Sequence, residues 1–137
     1  MTRNTHLTHI PAPDGIAPAA GYSHVVTATG RLVAVSGQIA LDQYGNLVGP
    51  GDAAAQALQV FANLHRCLAA AGATFDDVIK LTYFVTDVAH LPAVRKARDQ
   101  YVDVENPPAS SAVQVAALFR PDLLMEVEAL AVLRADA

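Results

Sequence analysis

Two carboxylates near the C-terminus are the residues of this chain best suited to chemistry. The run Leu124-Met125-Glu126-Val127-Glu128-Ala129-Leu130-Ala131-Val132 reads as a strand. Side chains alternate across a strand, so Glu126 and Glu128 share one face with Leu130 and Val132. Packing gives no reason for two acids at the head of an otherwise apolar strand. They stand about 6–7 Å apart along it, close enough to interact where water is excluded. One of them could then keep a proton near neutral pH and serve as acid or base. The same spacing also fits two solvated carboxylates, or a pair bonded to backbone amides of a neighbouring copy. Upstream, Asn106-Pro107-Pro108-Ala109-Ser110-Ser111 leads into a second extended run, Ser111 to Leu118, and is expected to set a loop against the acidic face.

Other chemistries find less in the sequence. His6 and His9 are three apart in an expected strand and so point to opposite faces, while His24, His65 and His90 are scattered. No Cys-x-x-Cys or His-x-x-x-His spacing occurs, so no metal site is expected. Gly49-Pro50-Gly51 lacks the lysine and the strand-to-helix setting of a phosphate loop. Ser23, Ser36, Ser110 and Ser111 have no sequence motif pairing one of them with a base. Cys67 borders an apolar helix stripe and is read as a small half-buried hydrophobe.

Length and composition narrow the class further. A chain of 137 residues makes one domain, 1–137, with a real core. Its 53% hydrophobic and 16% charged content implies apolar surface hidden in an oligomer. No unbroken apolar run approaches the length of a membrane span. The start Met1-Thr2-Arg3-Asn4-Thr5-His6 has no signal-peptide core behind it, and one cysteine suits a reducing compartment, so a cytoplasmic location is expected. Net charge is −4 without a basic cluster, which argues against nucleic-acid binding by phosphate neutralisation.

The elements that must position the carboxylates can be read in order. Thr5 to Ile10 suits a first edge strand, and Pro11, Pro13 and Pro18 then force an irregular loop, surface or the wall of a site. Val25–Ala28 and Leu32–Ser36, separated by Thr29-Gly30-Arg31, read as a hairpin. A turn at Asp42–Asn46 precedes a short return at Leu47-Val48. Asp52 is placed to cap a helix whose inner stripe is Ala57, Phe61, Leu64, Leu68 and Ala71, with Gln56, Gln59, Asn63 and Arg66 opposite and Gly72 ending it. Val78 to Val88 suits a central strand. Pro92 opens a second helix with Val94, Ala97 and Tyr101 inward and Arg95, Lys96, Arg98 and Asp99 as its solvated face. It must stop before Asn106-Pro107-Pro108. The order implies an α+β domain: a mixed sheet covered on one face by two helices, its other face covered by neighbouring copies.

Five pieces in series resemble the RidA family, also called YjgF or L-PSP. Gly21-Tyr22-Ser23 is similar to its Gly-x-Tyr-Ser, and Ser36-Gly37-Gln38 to its Ser-Gly-Gln. Ala69-Ala70-Ala71-Gly72 with Val78-Ile79-Lys80-Leu81-Thr82 resembles its Ala-Ala-Gly and Val-hydrophobic-Lys-x-Thr. Pro108-Ala109 and Glu126-Val127-Glu128-Ala129 complete the set. The resemblance implies a chorismate-mutase-like fold, a homotrimer, and clefts between subunits that hydrolyse small 2-imino or 2-enamino acids without a cofactor. It further implies Glu126 as the residue that positions the attacking water, with Tyr22, Ser36, Gly37, Ser110 and Ala112 forming the cleft. In the family an arginine fills the third position of Pro-Ala-x-Ser and clamps the substrate carboxylate; here that residue is Ser110. Replacing a charge-assisted bidentate contact by one neutral hydroxyl weakens carboxylate binding by about 2–4 kcal/mol. Arg120 and Arg98 are the two arginines placed to reach back, though each is most simply solvated. Imino-acid deamination is therefore in doubt for this chain. The expectation is a RidA-type hydrolase of a small metabolite, with a non-catalytic small-ligand or protein-binding trimer as the alternative and endoribonuclease activity disfavoured by the acidic balance.

Overall fold

In the computed structural model, which describes residues 6–135, the two most apolar extended runs lie side by side at the centre of a four-stranded sheet. Thr5, where the first strand was expected to begin, lies with the rest of residues 1–5 outside the described residues. The elements follow as β1 (Thr8–Ile10), β2 (Val25–Thr27), β3 (Arg31–Gln38), α1 (Ala53–Ala70), β4 (Val78–Val85), α2 (Leu91–Arg98), β5 (Ala109–Gln114) and β6 (Met125–Leu133). The sheet order is β3-β6-β4-β5, antiparallel except for the parallel β4–β5 pair, so the sheet is mixed as expected. Both helices pack on one face of it.

Strict alternation drives this layering. On β6 the side chains of Met125, Val127, Ala129, Ala131 and Leu133 are buried, and Leu81, Tyr83 and Val85 of β4 join them. Helix α1 meets this surface with Ala57, Phe61, Leu64 and Leu68, all fully buried. Each large side chain of that stripe contributes about 1.5–3 kcal/mol by leaving water. Asp52 caps α1 through the Ala55 amide at 3.1 Å, and Gly72, at φ +80°, turns the chain out of the helix where other residues would be strained. The Asp42 carboxylate organises its turn by accepting from the Tyr44 and Asn46 amides.

Several local readings give way to long-range pairing. The expected hairpin between Val25–Ala28 and Leu32–Ser36 does not form. Instead β2 pairs with β1, and β3 crosses to the C-terminal β6. A nine-residue alternating strand offers a better partner than an adjacent three-residue one, and sequence proximity cannot reveal that. The run Ser111–Leu118 is extended only to Gln114, and it lies beside β4 rather than β6. His6 precedes β1, its Nε2 lying 2.6 Å from the Val132 carbonyl oxygen.

Two polar residues assigned to solvated faces are buried. Gln56 is fully enclosed: its amide nitrogen donates to the carbonyls of Gly49 and Asp122, both at 3.1 Å, and its oxygen accepts from the Leu124 amide at 3.0 Å. It fastens the start of α1 to the lead-in of β6. Arg98, described below, is the second. Both sit one helical step from the apolar stripe, where a side chain able to satisfy its polar end can turn inward. Gln56→Ala would leave three part-buried backbone groups without their partner, so stability to chemical denaturation should fall by about 2–4 kcal/mol, while a surface change such as Gln100→Ala should leave the midpoint unmoved.

Candidate active site

Glu126 stands on the sheet face that the helices leave uncovered. It lies opposite Phe84 in the β4–β6 register, and Glu128 lies opposite Thr82. Around them the same face carries Leu32, Ala34, Lys80, Val113 and Leu130, with Leu32 63% exposed. Beside Glu126 the pairing of β3 with β6 slips between Val35 and Gln38, so that two residues of β3, Ser36 and Gly37, stand against the single Glu128 of β6 in a bulge. The bulge brings the Gly37 backbone against the acid. A Cβ built on Gly37 would collide with Glu126 Oε2, so any larger residue there must displace the carboxylate. Glycine at 37 is thus what lets Glu126 lie along the backbone. Ser36 is exposed next to it.

Tyr22, Ser110 and Ala112 come together elsewhere. In the parallel β4–β5 register Ser110 lies beside Leu81 and Ala112 beside Tyr83, which puts both on the helix side of the sheet. They line a cavity of ≈ 200 Å³ at the sheet edge with Ala20, Tyr22, Tyr83, Arg95 and Arg98. The loop before Ser110 therefore does not sit against the acidic face of its own chain, contrary to expectation; in a paired strand one register step sends Ser110 to one side and Ser111 to the other. Ser111 accepts from Lys80 Nζ at 3.0 Å.

The tyrosine is positioned by its neighbours. Ser23 is buried, with its hydroxyl donating to Pro107 O at 2.6 Å and its amide to Pro108 O at 3.2 Å. These bonds tie the end of the proline-rich loop to the lead-in of β5 and hold Tyr22 beside Ser110. Ser23 acts here as a structural donor rather than as a nucleophile. The Tyr22 and His24 rings meet edge to face at 5.2 Å, and His24 Nε2 lies 2.8 Å from Ala17 O.

Of the two arginines considered for the missing clamp, only Arg98 reaches the cavity. Arg120 is held by Asp122 at 2.8 and 3.1 Å, and its hydrogen bonds keep that carboxyl below its ordinary pKa. Arg98 is 7% exposed, not solvated, and its Nη1 donates to Gly21 O at 2.8 Å. Its Nε and Nη2 both donate to Asp99 Oδ1, at 3.0 and 2.8 Å. Arg95 and Tyr83 were not anticipated as lining residues. The spacing of Val94, Ala97 and Arg98 on one helical face was the available signal for the first arginine, and β4 alternation for Tyr83. No group of three or more potential metal ligands occurs among the described residues, nor is any helix long and apolar enough to cross a membrane.

The arrangement thus offers a carboxylate on one side of the sheet and a cationic, hydroxyl-lined cavity on the other. Residues 12–133 match the family model described as Endoribonuclease L-PSP. A RutC family protein of Synechocystis is 40% identical over 118 residues, 85% of this chain and 89% of its own length. A 2-iminobutanoate/2-iminopropanoate deaminase of Rattus norvegicus is 39% identical over 118 residues, covering 85% of this chain and 84% of that protein. Among solved structures, a Rid-family protein of unknown function from Yersinia pestis superposes with a TM-score of 0.83 at 37% identity, covering 94% of this chain and 100% of the other. With the pattern matched from the proline-rich loop to the end of β6, the chain belongs to the L-PSP family, the RidA or YjgF proteins.

Proposed function

We propose that this protein is a cofactor-free hydrolase that opens a carbon–nitrogen double bond of a small metabolite in clefts between the subunits of a homotrimer. One observation carries the reading: Glu126 and the Ser110 cavity lie on opposite faces of one sheet. A single chain cannot present both to one small molecule. A second copy, laying its sheet edge on the uncovered face of the first, can. Exposed Leu32 and Leu130 on that face support its burial in an assembly.

In such a cleft Glu126 would accept a proton from water as the oxygen attacks the C=N carbon. The tetrahedral intermediate then collapses, nitrogen leaves as ammonia, and a carbonyl remains. The reaction consumes one water and needs no electron carrier. Tyr22, Ser36, Gly37, Ser110 and Ala112 form the walls. Relatives named 2-iminobutanoate/2-iminopropanoate deaminase and 3-aminoacrylate deaminase favour this chemistry. Ribonuclease activity is disfavoured by the net charge of −4.

Imines generated in situ from several amino acids should be hydrolysed faster by the protein than in buffer. Glu126→Gln should lower that rate by about 10²–10⁴-fold, as loss of a general base does. A variant that keeps wild-type ligand binding while the wild type itself turns nothing over would identify a binding trimer instead. Gly37→Ala should mimic Glu126→Gln in rate while melting as a folded protein, because its methyl displaces the carboxylate.

A mixing experiment addresses the shared cleft. Ser110→Trp, which fills the cavity, and Glu126→Gln should each be inactive. Unfolded and reassembled together in equal amounts, they should recover about a quarter of wild-type turnover, since one cleft in four then receives both intact halves. Recovery of nothing would mean that each chain carries its own complete site.

A further inference from the structure

The cavity beside Ser110 holds polar groups that water-handling by Glu126 does not use. Tyr83 is 4% exposed, and its hydroxyl, within reach of the Arg98 guanidinium, has no acceptor for its own proton among the described residues. Burial pushes this phenol above its ordinary pKa, and the Arg98 guanidinium beside it opposes the shift. A buried hydroxyl whose proton finds no acceptor is costly, and nearly all such groups in proteins are satisfied. The orphan therefore points to a missing acceptor.

Arg98 makes the same demand. A guanidinium carries five N–H donors. Three are engaged, by Gly21 O and twice by Asp99 Oδ1, which leaves one on each terminal nitrogen. Those bonds also fix the side chain, so it would be organised before a ligand arrives. Arg95, almost one helical turn earlier, lines the same cavity from its exposed lip and enters no ion pair among the described residues.

Charge selects the ligand. Among the described residues no aspartate or glutamate lines the cavity, whereas two arginines do. Asp99 compensates one of them, which leaves one positive charge unmatched. A volume of ≈ 200 Å³ is smaller than a drug-sized pocket and suits a few heavy atoms.

We infer that this cavity binds the carboxylate of a small monoanion through Arg98, the Tyr83 hydroxyl and Arg95. The positive anchor absent from residue 110 is thus supplied from α2, by side chains reaching the same space from the helix instead of the strand. This deepens the hydrolase reading and rests on it only for the reacting group, making the substrate a small imino acid with a free carboxylate.

Calorimetric titration of the intact protein with 2-oxobutanoate and with its neutral amide tests the anchor directly. The acid should bind at least about tenfold more tightly than the amide. Arg95→Gln and Tyr83→Phe should each weaken the acid by about tenfold and leave the amide unchanged. Both variants spare the Arg98 bonds to Gly21 and Asp99, so loss of folding does not confuse the result. Equal binding of acid and amide, binding of neither to wild type, or wild-type acid binding in both variants would overturn the inference. Turnover separates the two ideas. Charge-dependent binding without imine hydrolysis keeps the anchor and removes the hydrolase. Imine hydrolysis with the same KM in wild type, Arg95→Gln and Tyr83→Phe keeps the hydrolase and removes the anchor.

Discussion

Strand β6 is hydrogen bonded along both edges, by β3 and by β4, and this leaves each of its side chains only two directions in which to point. One direction is filled by the buried series from Met125 to Leu133, which meets α1. Glu126 and Glu128 must then stand on the other. Sliding the register by one residue would bury both acids and expose the core, so the apolar packing against α1 is what fixes the carboxylates in place. The position of the two carboxylates is a consequence of the core.

A small number of polar contacts then locate the remaining pieces. Gln56 ties α1 to the lead-in of β6. Ser23 ties the proline-rich loop to the lead-in of β5, and Arg98 ties that loop to α2 through Gly21. Each is a buried side chain that bonds backbone atoms of a distant segment. Together they hold Tyr22, Ser110 and the arginines around one space. The Gly37 bulge plays the equivalent part on the other face, where absence of a side chain admits the Glu126 carboxylate. The two faces are related through the sheet, and under the function proposed above it is copies of the chain that bring them together.

Burial of Arg98 changes how residue 110 is understood. On the strand, serine in place of arginine removes a charge. In the folded chain a guanidinium already occupies the neighbouring volume, oriented by Asp99 and Gly21. An arginine at 110 would meet like charge there, in a space partly shielded from water. Serine at 110 and arginine at 98 are therefore compatible features of one cavity.

The stripe of α1, the Asp52 cap, the Gly72 exit, the turn at Asp42 and the alternation of β4 and β6 were all legible in the sequence, because each depends on residues within a few positions of one another. So were the pairing of Glu126 with an apolar strand and the family motifs around it. The partner of β3, the burial of Gln56 and Arg98, the side of the sheet taken by Ser110 and the Tyr83 hydroxyl lacking an acceptor belonged to the tertiary structure alone. Those depend on which distant segments meet, and a polar side chain near a stripe turns inward or outward according to whether a remote carbonyl or carboxylate is there to receive it. Local periodicity determined the elements and their faces; long-range hydrogen bonding decided what each face would hold.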